Sequence, residues 1–229
     1  MNTAPHPLDR PIWSMLTGRQ AHLAEGDTMA LRLDRGYGPF GAAADRGETA
    51  QAALAALVPD DGALWIVEHE PWPLPPGTRE VKRAVLTQMV AEGPPPAPRS
   101  GDPAIVPLGD TDADEMAALA EHAQPGPWGP KTHLYGPFFG IRERGRLLAM
   151  AGQRMLMPGM AEVSGVATWA DCRGRGFARA LIGHVMREMV ARGERPFLHS
   201  YADNAGAIGL YESLGFRTRL HNHVLAIAK

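Results

Sequence analysis

Cysteine is nearly absent: among 229 residues only Cys172 is one. A lone thiol forms no internal disulfide, and no paired Cys and His spacing offers a structural zinc site, so the chain reads as a metal-free protein of a reducing compartment. Strong charge is missing too. The formal net charge is -2 at pH 7, which gives no global basic field for nucleic acid, so any anion site has to be local. No run of about 18 apolar residues occurs, and Met1 to Arg10 is polar and proline-bearing without an apolar centre. The expectation is a cytoplasmic protein that engages neither nucleic acid nor membrane. Hydrophobic residues are present in ordinary measure, 45% of the chain. That excludes disordered and fibrous classes, and the length suits one large domain or two small ones.

In chain order, Pro11 to Ala24 predicts a helix begun by a proline, with Ile12, Met15, Leu16 and Leu23 buried. Met29 to Leu33 is a short strand, Thr49 to Leu57 an alanine-rich helix, and Ala63 to Glu68 an apolar strand after the Asp60-Asp61-Gly62 turn. Glu80 to Val90 fits helix or strand. Residues 93–103 have the composition of a proline-rich linker, which divides an N-terminal α/β domain or subdomain, residues 1–92, from residues 104–229.

Beyond the linker, Ala104 to Leu108 is a strand and Asp110 to His122 a helix capped by Asp110 or Thr111. Gln124 to Gly136, rich in Gly and Pro, is a loop or broken helix. Phe138 to Arg142, Arg146 to Met157 and Met160 to Trp169 form a three-stranded meander with turns at Arg144-Gly145 and Pro158-Gly159. A helix from Gly174 to about Arg192 follows, with Phe177, Leu181, Val185 and Met189 as its apolar stripe and Gly193 as its stop. Next come a strand over Arg195 to Ala202 and a helix over Asn204 to Leu214, capped by Asp203 or Asn204. Phe216 to Leu220 and Asn222 to Ala228 close the chain as a hairpin. The expected fold is α+β, a mixed and mostly antiparallel sheet flanked by helices, with one parallel crossover.

The turn Arg173-Gly174-Arg175-Gly176-Phe177-Ala178 lies between a strand and the long helix. Orphan amides there, with the positive end of the helix dipole and flanking arginines, suit phosphate groups. A Rossmann pattern is excluded because Arg179 replaces the third glycine, and a P-loop because no Gly-Lys-Ser/Thr follows. The R-x-x-G-x-A turn of Arg173, Gly176 and Ala178, together with Asn204-x-x-Ala207-x-x-Leu210-Tyr211-Glu212-x-x-Gly215-Phe216, resembles the GNAT superfamily of N-acetyltransferases over about residues 104–229. Arg35-Gly36-Tyr37-Gly38 echoes the turn, yet Pro39 and Gly41 spoil a following helix.

The resemblance implies transfer of an acetyl group from acetyl-CoA to an amine of a small molecule or amino-acid-like acceptor. The turn would hold the pyrophosphate through the backbone of Arg173, Gly174, Arg175, Gly176, Phe177 and Ala178. Val166, Ala167 and Thr168 would pair with the pantetheine arm where the sheet splays, and Asn204 would contact that arm or simply cap its helix. Tyr211 would protonate the departing thiolate. Glu162 shares a period-two face with Ser164 and Val166 and, with a pKa raised by partial burial, is the candidate base. His199 competes for that role; His133 is a weaker candidate, and Cys172 lacks a His partner nearby. Trp128, Tyr135, Phe138 and Phe139 are expected as an aromatic acceptor wall, and Met150, Met155, Met157 and Met160 as core filler or a pliable pocket. The other readings compatible with the sequence are a non-catalytic acyl-CoA-binding regulator and a transferase using a longer acyl donor.

Overall fold

The computed structural model describes residues 6–229. The first helix, α1 (Pro11–Leu16), buries Pro11, Ile12, Met15 and Leu16. It stops well short of the expected end, and a 3-10 turn, Ala21–Leu23, follows. The strands β1 (Ala24–Gly26), β2 (Ala30–Leu33) and β3 (Gly41–Ala43) make a small antiparallel sheet, against which α2 (Glu48–Ala56) packs Ala50 and Leu54. The Arg35-Gly36-Tyr37-Gly38 stretch joins β2 to β3 and starts no helix.

The remaining strands form one sheet. They are β4 (Leu64–Glu68), β5 (Arg79–Ala91), β6 (Val106–Leu108), β7 (Phe138–Glu143), β8 (Arg146–Met157), β9 (Met160–Thr168), β10 (Arg195–Tyr201) and β11 (Phe216–Ala228). Their spatial order is β4-β11-β5-β10-β9-β8-β7-β6. Among the described strands of this sheet the β9–β10 pair alone is parallel, because α4 (Phe177–Ala191) crosses between these strands. The helices α3 (Ala113–Ala123) and α5 (Ala205–Ser213) complete the layers. The fold is thus α+β, with a mixed and mostly antiparallel sheet flanked by helices.

Two expectations are corrected here. The proline-rich segment 93–103 does not separate two sheets: β5, which precedes it, is hydrogen-bonded between β10 and β11, which follow it. Strands β4 and β5 before the segment and β6 to β11 after it therefore share one sheet. The C-terminal hairpin is also absent. Residues 216–228 run as a single strand along β5, and the polar run around Arg219 is accommodated by a register shift between Thr218 and Leu220, a bulge instead of a reversal.

Period-two alternation sends neighbouring side chains to opposite faces. Leu198 joins the core beneath α4 with Leu181, Ile182, Val185, Met186 and Met189. Phe197 joins the other core, with Leu8, Ile12, Met15, Met157 and Val224. Each fully buried Leu, Ile or Met on α4 contributes about 1.5–3 kcal/mol. Six apolar residues of α4 recur three and four apart in one buried stripe, Phe177, Leu181, Ile182, Val185, Met186 and Met189, so the helix is clamped to the sheet along its whole length.

Candidate active site

The strands β9 and β10 pair at Met160, Ala161 and Glu162 on one side and Arg195, Pro196 and Phe197 on the other, and their pairing ends there. Beyond that point β9 stays with β8 up to Thr168, while β10 stays with β5 up to Tyr201. The sheet therefore splits into a wedge. The split is reinforced within β9, where Gly165, with φ +62°, occupies a bulge: Ser164 pairs with Gly152 and Ala167 with Met150. A non-glycine residue is strained at that φ, and a Cβ there would lie 2.7 Å from the Phe138 ring.

The bulge also breaks the expected shared face. Val166 packs with Val163 on the α4 side of the sheet, whereas Glu162 projects to the opposite side, beside His199. Period two fails across Gly165 because one extra residue resets the alternation.

Directly after the wedge comes the turn. Gly174 (φ +77°) and Gly176 (φ +78°) hold left-handed conformations, and a Cβ at either would meet open space. The amides of residues 174–179 donate no hydrogen bond to the described residues; the first helical bond is Ala180 N–H to the Gly176 carbonyl at 3.1 Å. No acidic side chain occupies the first turn of α4, so the positive end of its dipole is uncompensated. Arg175 pairs with Glu143 and lies over the Phe177 ring. Phe177 itself is core, so its contribution to an anion site is its amide. These features fit a diphosphate.

A cavity of about 240 Å³ passes through the wedge. On the helical side it is lined by Val163, Val166, Asn204, Ala207, Leu210 and Tyr211, and on the other side by Phe40, Trp65, Met155, Arg154, His199 and Tyr201. Asn204 Oδ1 accepts the Ala207 N–H at 3.1 Å and so caps α5, while the residue also borders the cavity. Tyr211 has its hydroxyl pKa pushed up to about 12, because burial disfavours the phenolate. It remains a protonated donor across the physiological range.

Glu162 departs from expectation. Its side chain is fully buried, Arg154 donates to both carboxylate oxygens at 2.8 Å, and His199 Nδ1 lies 2.8 Å from Oε1. Burial alone would raise its pKa, but the Arg154 guanidinium and the His199 hydrogen bond outweigh it and hold the carboxyl down at about 2. The expected raised pKa is reversed by the ion pair, and the enclosed carboxylate does not border the cavity. Sequence reasoning had no access to this outcome, since Arg154 comes from β8 and His199 from β10.

His199 does border the cavity. Its Nε2 lies 3.1 Å from Gln88 Nε2, which also faces the Leu8 carbonyl at 2.9 Å and Asn222 Oδ1 at 3.0 Å. An amide with two hydrogens has three acceptors around it, so Gln88 can release His199 and keep both other bonds. His133 pairs with Asp110 and Cys172 is buried in the α4 core; neither borders the cavity. The expected aromatic wall is elsewhere too: Trp128 packs edge-on to Phe138, Phe139 against His184, and Tyr135 against Tyr37. Phe40, Trp65 and Tyr201 provide aromatic surface in their place, so the N-terminal segment forms part of the cavity wall. Of the four methionines, Met155 borders the cavity, and Met150, Met157 and Met160 are core.

The FR47-like protein family matches residues 138–225, which span the wedge, the turn and α5. The crystal structure of a GNAT-family protein from Novosphingobium aromaticivorans DSM 12444 is 52% identical, covers 98% of this chain and 99% of that one, and superposes with a TM-score of 0.92. The [ribosomal protein bS18]-alanine N-acetyltransferase of Escherichia coli (strain K12) is 31% identical over 115 residues, 48% of this chain and 77% of that protein. A GCN5-related N-acetyltransferase from Kribbella flavida shares the fold, with 18% identity over 94% of this chain and 91% of that one and a TM-score of 0.63. With near-complete coverage at that first level of identity, and the wedge and turn in place, the chain belongs to the GNAT superfamily of N-acetyltransferases and is an acyltransferase enzyme.

Proposed function

We propose that this enzyme moves an acetyl group from acetyl-CoA to the amine of a small-molecule or amino-acid-like acceptor by direct attack. The carrying observation is the cavity through the sheet, which joins Tyr211 and Asn204 on the helical side to His199 and Arg154 on the other. When bound, acetyl-CoA supplies an acetyl group activated as a thioester. The free amides of Gly174 to Arg179 bind its diphosphate, the main chain of Val166, Ala167 and Thr168 orients the pantetheine arm along the unpaired edge of β9, and Asn204 adds its amide.

His199 then holds the proton taken from the acceptor ammonium, with Glu162 fixing the ring through Nδ1. In this reading Glu162 is a positioning residue. Tyr211 holds the proton that the sulfur needs. A cavity of about 240 Å³ lies below the usual range for ligand sites, which favours a small acceptor. The Escherichia coli relative is named for acetylating an alanine of ribosomal protein bS18, so a peptide N-terminus is the competing acceptor class.

Free-thiol release from acetyl-CoA, measured across small amines, amino acids and N-terminal alanine peptides, tests the reading. Turnover on small amines is expected. Turnover confined to peptides overturns the small-acceptor part, and none on any amine favours a non-catalytic cofactor-binding role. In the same assay Tyr211→Phe lowers kcat by roughly 100-fold at unchanged coenzyme A affinity; a mutant as fast as the parent removes Tyr211 from the mechanism.

A further inference from the structure

Arg154 reaches the cavity from β8 with its guanidinium only partly used. Nε and Nη2 donate to Glu162, and Nη1 has no acceptor among the described residues. The side chain is 12% exposed, its Cζ lies 5.2 Å over the Phe40 ring, and the residue lines the cavity. A Cβ built at Gly126 would meet Nη1 at 3.7 Å, so the Pro125-Gly126-Pro127 loop roofs this nitrogen. Two N–H groups thus face the cavity without a partner among the described residues, where an acceptor on a ligand can meet them.

Charge points the same way. Among the described residues lining the cavity there is an arginine but no Asp or Glu; Glu162 lies behind Arg154, committed to it and to His199. A second cation stands at the rim: Lys82 Nζ lies 4.7 Å over the Tyr201 ring and 5.4 Å over Trp65, both cavity residues. Such a site has no carboxylate to hold a second ammonium, which disfavours polycationic acceptors, and it offers the free Nη1 of a guanidinium to an anion.

We propose that the acceptor is an amine that also bears a carboxylate and an apolar side group, with the carboxylate docked on Arg154 Nη1 and the side group against Phe40, Trp65 and Leu86. This rests on the transfer reading above and narrows its substrate class. Arg154 here sets specificity and positions the acceptor, while the reacting amine lies toward His199.

The test compares apolar amino acids with their amides and with the corresponding decarboxylated amines, leucine, leucinamide and isopentylamine among them. The acid is expected to exceed both others in kcat/KM by at least about tenfold, the scale of one charge-assisted hydrogen bond. An amide or plain amine acetylated as well as the acid overturns the inference. Arg154→Met alone strands Glu162 in the core, so the decisive variant is Arg154→Met with Glu162→Gln, which removes both buried charges. In it the acid-to-amine ratio falls to about one while coenzyme A affinity holds; a retained ratio refutes the assignment. Calorimetry with leucine and isopentylamine, on protein with and without coenzyme A, reads the same preference without turnover. Leucine bound in preference to isopentylamine but never acetylated upholds the Arg154 site and sinks the transfer reading. Turnover of plain amines without preference does the reverse, and binding of neither probe counts against the site.

Discussion

The anion turn and the cavity are built by different means. At the start of α4, outside the cavity lining, the turn at residues 174–179 presents main-chain amides from one contiguous stretch, free of partners among the described residues. In and behind the cavity wall the groups are side chains, Arg154 from β8, Glu162 from β9, His199 from β10 and Gln88 from β5, buried and bonded to one another. A backbone site needs only glycines and a helix start, so it tolerates change in neighbouring side chains. In a side-chain network the members depend on one another, so losing one leaves a buried charge or donor unmatched.

The largest effect should therefore come from the network. Glu162→Gln leaves Arg154 without its counter-ion and is expected to cost about 3–5 kcal/mol of stability in urea denaturation; a loss below about 1 kcal/mol would erase the contrast. The pH dependence sharpens the same point. A carboxyl depressed from 4.5 to about 2 stabilises the fold above pH 4.5, and that contribution, on the order of 3 kcal/mol, is lost as pH falls from about 4.5 toward 2. In Glu162→Gln this component of the acid-side decline disappears.

On the backbone side, Gly176→Glu is expected to weaken coenzyme A binding by more than about 100-fold, since it sets a negative charge where the diphosphate belongs. Its effect on the fold is limited to about 1–2 kcal/mol from the positive φ. Unchanged binding by calorimetry would refute the turn assignment. The smallest change is Asn204→Ala, which removes the α5 cap and about 1 kcal/mol of stability. Coenzyme A affinity decides whether Asn204 also touches the pantetheine arm: a severalfold drop supports that contact, and a purely thermal change reduces the residue to a cap.

The same division explains what could be read in advance. The turn and α4 are announced locally, by Gly174 and Gly176 before a 3-and-4 apolar stripe and Gly193 after it, and Asn204 and Gly215 bracket α5 in the same way. The network is not local. Alternation puts Glu162 on one face with Ser164 and Val166, and the Gly165 bulge resets that alternation before Val166. The ambiguity over residues 80–90 has a physical source as well: the first half of β5 is exposed and the second half buried, so neither a helical stripe nor strict alternation marks it. Arg219, in a polar stretch that resembled a turn, instead pairs with Asp9 and donates to Gln88 Oε1 at 3.0 Å, a role set by chain segments far away in sequence.

The position of β5 bears on how the chain acquires its shape. Its neighbours, β10 and β11, are synthesised long after it, and Phe216 pairs with Ala91 at the far end of the ladder. During translation the early strand has neither flank to bond with, so the sheet is completed only once the C-terminal residues emerge. Closing such long loops before the reward of pairing makes folding slow and leaves an unpaired, sticky edge in the meantime. C-terminal truncations should accordingly show up as aggregates on the way to the native state, well before any question of catalysis arises.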